Sequence, residues 1–347
     1  MSELFALRGD LSRSHRWVLS VSGISLLLGI WYILTMGEDP LVGRAILPNP
    51  LDVLASYGEM IQENDLILNT FKSLGVNFAG YVEAILISLP LGFAIGLLPI
   101  LRGAFQKPVD ALRYVPLTAV TGLFIAWFGI EMDMKTHFLA FGILIYLLPI
   151  IVQRIDEVLD VYLKTVYTIG ASPWQTVRTV YIPSVISRLW DDIRILTAIS
   201  WTYIIVAETI NNEGGLGSVI WFAGQRFRRY DKVFAVLILI MIIGVLQDRL
   251  FSHLDKKLFP HKYQIREQGR KGQIQSLNIW NTISTYIWQS FALIIMSGYI
   301  ILALNEILSF LGIKLLTYLF GDTVWAIHVI FLSTIFIVIK NWINKRT

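Results

Sequence analysis

The chain has 347 residues and no cysteine. That absence excludes disulfide staples, a thiol nucleophile and thiolate-bound metal. Charge is scarce as well: Asp, Glu, Lys and Arg make up 16% of the residues, where soluble domains carry about 25%. The five histidines are scattered, and none forms a His-Glu-x-x-His pair, which argues against an intramembrane metalloprotease. No Gly-x-x-x-x-Gly-Lys-Ser/Thr phosphate loop occurs, so any ATP-driven step needs its nucleotide site on another polypeptide. No Ser-His-Asp arrangement or Asp-rich motif offers the acid–base constellation of a membrane transferase.

What is abundant is apolar residue, at 55% of the chain with a mean hydropathy of +0.62. These residues come in long blocks, and a helix needs about 20 of them to cross a bilayer. Eight runs meet that length or approach it: Trp17–Met36, Lys72–Leu101, Tyr114–Ile130, Thr136–Gln153, Leu189–Thr209, Val233–Phe251, Ile283–Leu304 and Thr323–Ile339. The chain therefore reads as an all-α, polytopic membrane protein. The first run follows Arg13 and Arg16 and has no small-residue cleavage site before Gly37-Glu38-Asp39-Pro40, so it reads as a retained anchor. With both termini in the cytoplasm, the inner segments hold 21 of the 29 Lys and Arg residues, as the positive-inside rule requires. The net charge of +4 then follows from topology and calls for no nucleic acid.

Between the fourth and fifth runs lies a cytoplasmic stretch, Arg154 to Arg188, too patterned for a passive connector. Val158, Val161, Tyr162, Thr165, Val166 and Ile169 recur at helical spacing. Gly170 suits a C-terminal cap. Ser172 and Gln175 fit a capping box, with Pro173 at the first helical position. A second short helix should carry Trp174, Val177 and Tyr181 and stop at Pro183. Physics alone leaves two uses open. One is an amphipathic hairpin resting on headgroups; the other is a docking knob anchored by Trp174 in a partner's groove.

Gly170-Ala171-Ser172-Pro173-Trp174 followed by Ile182-Pro183 resembles the cytoplasmic signature loop of ABC importer permeases. Four further segments are similar to the nitrate, sulfonate, taurine and bicarbonate permeases of that class: Leu47-Pro48-Asn49-Pro50; Ala126-Trp127-Phe128-Gly129-Ile130; Val206-Ala207-Glu208 with Gly215-Leu216-Gly217; and Arg226 to Phe234 with Asp248-Arg249. The resemblance covers roughly residues 17–263. It implies a type I importer permease of the bacterial inner membrane, working with ABC ATPase subunits, a periplasmic or lipid-anchored binding protein and a second permease chain. It also implies that Gly170, Ala171, Ser172, Pro173, Trp174 and Pro183 form the ATPase coupling loop. No cofactor belongs to the chain; ATP and magnesium would sit on the ATPase. Two departures stand out. The family's Glu-Ala-Ala triplet is here Lys164-Thr165-Val166, and the last two apolar runs have no counterpart in the family.

Other residues carry two readings each. Glu208, beside Thr209, Asn211 and Asn212, either reaches water or lines a gate; Glu83 either hydrogen-bonds inside the bundle or lines the path; Trp127 belongs with the path or gate. Gly92 and Gly96 permit close helix approach, within the chain or at a dimer seam. The glycines and arginines between Asn211 and Tyr230 anchor at the interface, help to receive a binding protein or attract an anion. The basic stretch Lys256, Lys257, Lys262, Arg266, Arg270 and Lys271 marks topology and lipid contact. His328 reads as a packing residue. The expected organisation is an anchoring helix and outer loop over residues 1–66, a permease core over 67–255 and a basic linker with two added helices over 256–347. The last two helices read as a stabilising flank or as a contact for another subunit. The rival from another class is a secondary transporter or channel without an ATPase, but no inverted repeat supports it.

Overall fold

The structure, a computed structural model, describes residues 11–210, 214–260, 262 and 279–344. Arg8, Asn211, Asn212, Arg266, Arg270, Lys271, Lys345 and Arg346, which entered the sequence reading, lie outside the described residues. Every regular element among the described residues is helical. In order they are α1 (Arg13–Thr35), α2 (Pro50–Glu63), α3 (Leu66–Leu97), α4 (Pro99–Leu112), α5 (Leu117–Phe128), α6 (Met132–Asp156), α7 (Asp160–Thr168), α8 (Pro173–Thr176), a π-turn (Val177–Tyr181) and α9 (Ile182–Glu208). Then come α10 (Leu216–Trp221), a π-turn (Phe222–Arg226), α11 (Tyr230–Leu258), α12 (Ile279–Leu308), α13 (Leu315–Phe320), a 3₁₀ turn (Gly321–Thr323) and α14 (Val324–Asn344).

The chain forms two compact units. The first joins the residues up to Leu66 with Val219–Leu239. Here α1 turns an almost wholly exposed apolar surface outward, including Trp17, Ile24 and Leu27, as a lipid-facing anchor does. Leu47-Pro48-Asn49-Pro50 proves to be a helix start. The Asn49 side chain accepts from the Leu51 N–H at 2.9 Å, and Pro50 opens α2, where its missing N–H costs nothing. The amphipathic α2 is absent from the sequence reading. It buries Val53, Ser56 and Met60, while Tyr57 Oη donates to the Ala235 carbonyl at 2.7 Å. On its polar side Glu59 accepts from Arg229 Nη2 at 2.8 Å and pairs with Lys232 Nζ at 2.7 Å. The Arg229 and Lys232 hydrogen bonds pull the Glu59 carboxyl down to about 2.

The second unit joins Ile67–Ser218 with the residues from Ile240 on. Its centre is α6, where Phe138, Leu139, Ile143, Ile145, Leu147 and Ile151 are fully buried and which packs against α4, α5 and α9. Helix α3 approaches it through Gly92 and Gly96, whose missing Cβ atoms would stand 2.6 Å from Ile151 Cγ2 and Ile155 Cδ1. The small-residue pair thus serves packing within the chain. At the other end of α3, Phe71, Leu74 and Phe78 pack on Tyr299, Leu316, Phe320 and Ile327 of the last helices, and Phe71 meets Phe320 edge to face. Tyr299 and His328 share a hydrogen bond of 2.9 Å, so His328 is a packing residue held by a partner.

Three expectations need correction. The third run is not one straight crossing: α5 has 12 residues, or about 18 Å of helix, short of the roughly 30 Å hydrocarbon core. It follows α4 at a bend of 105°, because the chain breaks after Leu112 and Pro116, held extended, starts α5 in a new direction. Counting that pair, up to six described segments are long and apolar enough to span. Helix α9 has the length but not the composition, since Arg188, Asp191, Asp192 and Arg194 crowd its first turns. Nor does Pro183 stop a helix. The π-turn carries α8 straight into α9, and Pro183 sits in the first turn of α9, where no N–H is needed.

Two outcomes follow. Gly92→Val drives methyl groups into Ile151 and should destabilise the purified chain by about 1–3 kcal/mol; thermal unfolding in detergent reads this, with Ile151→Ala as the partial rescue. In the first unit, the Glu59 carboxyl titrates lower when folded than when unfolded. Its contribution is therefore full above about pH 4.5 and is lost as pH falls toward 2. Proteolytic resistance of the α2 segment should be flat between pH 7 and 5 and fall below that, and Glu59→Gln should remove the transition.

Candidate functional site

The helix–turn–helix between α6 and α9 is built as its residues dictate. Gly170 takes φ +78°, with no other atom within 4 Å of its missing Cβ. The Ala171 N–H closes on the Val166 carbonyl at 3.0 Å. Ser172 and Gln175 form a reciprocal capping box, Ser172 N–H to Gln175 Oε1 at 2.7 Å and Gln175 N–H to Ser172 Oγ at 3.3 Å. Pro173 stands at the first helical position and Thr176 is buried beneath it. The turn is rigid, yet its apolar side chains face outward. Trp174 is 69% exposed, and Val161, Tyr162, Tyr167 and Ile169 are exposed too. Lys164 and Pro183 also lie on the surface.

Behind this turn stands an ion-pair network that sequence reasoning missed. Arg154 donates from Nε and Nη2 to both carboxylate oxygens of Asp192, each at 2.7 Å, and from Nη1 to Glu157 at 2.6 Å. Arg188 adds contacts to the Glu157 carboxylate and carbonyl at 3.1 Å. Arg154 holds the Glu157 carboxyl below the usual range. Arg102 pairs with Asp156, and Arg194 with Asp248. The arginines had registered only as topology charges. Nothing in linear spacing shows which acid, 38 residues away in the case of Asp192, meets each of them.

At the opposite end of α9 the Glu208 carboxylate does not reach water; the residue is 1% exposed. It accepts from Ser73 Oγ at 2.7 Å and from the Gly217 N–H at 2.8 Å. The Leu216 N–H in turn donates to Ser73 Oγ at 2.8 Å, and the Gly215 N–H to Asn69 Oδ1 at 2.8 Å. Buried Lys135 donates to the Gly214 carbonyl at 3.2 Å. The Gly215-Leu216-Gly217 motif follows from this closeness. Gly215 takes φ +102° against the Glu208 carboxylate, and a Cβ on Gly217 would stand 2.5 Å from the Ile205 carbonyl oxygen. Glu208 thereby ties α3, α9 and the glycine turn into one buried knot.

The remaining candidates do not join it. Glu83 hydrogen-bonds His137 Nδ1 at 2.8 Å, linking α3 to α6, and the His137 ring lies 4.4 Å from that of Phe128. Trp127 is 66% exposed on α5, its ring 5.7 Å from Phe124. The structure brings together the residues of the turn, and separately Glu208 with the glycine motif; Glu83 and Trp127 stand apart from both.

An all-helical bundle with a rigid, outward-facing helical turn between its two most closely packed helices defines a transmembrane transporter component. Residues 85–260 match the binding-protein-dependent transport system inner membrane component, and the chain belongs to that family of ABC importer permeases. It is similar to the taurine transport system permease protein TauC of Escherichia coli, with 27% identity over 252 residues, 71% of this chain and 90% of TauC. A protein named as an aliphatic sulfonates transport permease, SsuC of Bacillus subtilis, is 27% identical over 253 residues, 71% of this chain and 88% of its own. The nitrate import permease NrtB of Synechocystis is 26% identical, covering 68% and 87%. Among solved structures, the inward-facing MetNI methionine ABC transporter shares the fold, with a TM-score of 0.50 and 17% identity over 56% of this chain and 98% of that one. The chain is a multi-pass inner-membrane protein. The matched family region ends at residue 260, ahead of α12 to α14.

Glu208→Ala leaves the Gly217 N–H without its acceptor and Ser73 Oγ–H without its carboxylate, which costs about 1–3 kcal/mol per buried group. The purified variant should melt earlier, while Glu208→Gln, which keeps an acceptor oxygen, loses less. Equal melting of all three forms would show that the knot does not support the fold.

Proposed function

We propose that this chain forms the translocation path for a small anionic solute, and that ATP hydrolysed on a separate subunit drives it through the turn at residues 158–183. The observation that carries this reading is the exposed apolar surface of Trp174, Ile169, Tyr167, Tyr162 and Val161 on a rigid turn. An apolar patch on a preformed knob calls for a partner's groove. In this reading Trp174 is the anchor, Gly170, Ala171, Ser172 and Pro173 set the turn, and Pro183 opens α9, the lever behind it. The Arg154–Asp192 pair transmits displacement of the turn to α6 and α9 together. The chain brings no cofactor, and ATP with magnesium binds on the ATPase.

The anionic substrate class rests on the relatives named for sulfonates, taurine and nitrate. Two identical permease chains form the pore, and a binding protein delivers the solute at the face opposite the turn. Glu208, Trp127 and Glu83 act at the path or gate, Glu208 by holding the glycine turn. Both termini face the cytoplasm, as the Lys and Arg count requires, and lipid covers the apolar faces of α1.

The test is affinity purification of the chain from native membranes in mild detergent, with mass spectrometry of its companions. A stoichiometric subunit with a phosphate loop and an extracytoplasmic binding protein are expected. Trp174→Ala should leave the melting temperature unchanged, because the side chain is exposed, yet weaken ATPase retention by about 2 kcal/mol or more, the scale of a hot-spot aromatic. Gly170→Val strains only the turn, by about 1–2 kcal/mol, and should abolish uptake at normal expression. Retained uptake in both variants would overturn the docking role.

A further inference from the structure

The first unit carries a groove of about 380 Å³ lined by Arg44, Asp52, Glu59, Arg228, Arg229 and Asp231, with Tyr230 and smaller side chains beside them. Most of these charges are already engaged. Arg229 bonds Glu59 and Asp231, each at 2.8 Å, and Lys232 bonds Glu59. Arg44 stands 3.8 Å from Asp52 and donates to the Gly37 carbonyl at 3.2 Å. Arg228 differs from them. It is exposed, and no ion pair or hydrogen bond of its side chain occurs among the described residues. Its backbone is held at φ +54°, a region costly for a side-chain-bearing residue. The frame that holds it there is local: the Phe227 N–H closes the preceding π-turn on Phe222 at 3.0 Å, and the Arg229 N–H bonds the Ala223 carbonyl at 2.8 Å. Local strain at an exposed, unpaired cation is the pattern of a functional contact.

We infer that this groove is the seat for an acidic side chain of the binding protein, with Arg228 as the receiving cation and the fixed Arg229–Glu59–Lys232 lattice as its rigid floor. The inference rests on the orientation proposed above, which puts the α1–α2 loop and the stretch before α11 on the outer face. A cation held in advance on a rigid floor meets a carboxylate without ordering a long side chain first, and a charge at such a rim governs encounter rate and salt sensitivity.

The test uses the permease–ATPase complex in lipid nanodiscs and the binding protein recovered in the purification above. Arg228→Gly removes the charge and relieves the backbone strain, so the variant should fold at least as well while docking weakens by about tenfold and loses part of its salt dependence. Arg228→Lys should dock nearly as the parent does, and Arg228→Glu worse than glycine. Equal docking in all four forms overturns the inference. A cysteine-free chain also makes Arg228→Cys a clean single-site probe. Labelling of intact cells by a membrane-impermeant maleimide is expected, and protection by added binding protein supports the seat. Absence of labelling in intact cells with labelling of opened vesicles would instead overturn the orientation. Loss of docking to the parent chain in sodium sulfate, but not in chloride at matched ionic strength, would assign the groove to a free anion and overturn the inference.

Discussion

The Arg154–Asp192 pair is the contact on which the permease fold leans. Both groups sit where α6 and α9 lie against each other, and Asp192 is 8% exposed. A charge there is best tolerated while its partner is in place, because the part-buried carboxylate has little water to turn to. The bidentate fork fixes direction as well as distance. The pair therefore fixes α6 against α9 at the base of the turn.

The two ends of α9 use polarity differently. At the turn end, arginines and carboxylates form exposed and half-buried pairs, strong enough to align helices and open enough to exchange with water. At the Glu208 end a single carboxylate is enclosed and accepts from the Ser73 hydroxyl and the Gly217 N–H. The glycines there are needed because any Cβ would fill the space that the carboxylate and the Ile205 carbonyl occupy. Between the two ends the bundle is closely packed, with polar pairs such as Asn77–Ser200 and Trp201–Gln247 inside it and with Gly92 and Gly96 allowing α3 to lie on α6.

The added helices α12 to α14 rest on the Phe71–Phe78 stretch of α3 and on the start of α6. They bury Gly75 against Phe320 and Thr323 and take a face that would otherwise meet lipid or another chain.

Much was decided by the linear sequence alone. Apolar block length and the scarcity of charge made the protein a helical membrane protein. Gly170, Ser172, Pro173 and Gln175 specified the turn, because capping and positive φ are local demands that a few neighbouring residues satisfy. What only the tertiary structure decided involved partners distant in sequence or a balance between competing local rules. The Glu208 knot joins residues 135 positions apart, and the arginine clamp chose its carboxylates by helix packing. The α4–α5 bend, which hydropathy did not show, left α5 too short to cross alone, because Pro116 stands extended between the two helices. The passage through Pro183 reversed a stop signal, since a π-turn placed that ring where no hydrogen bond was owed. Short-range stereochemistry can be read from a string of residues; which charge meets which, and how deep, is settled only when helices pack.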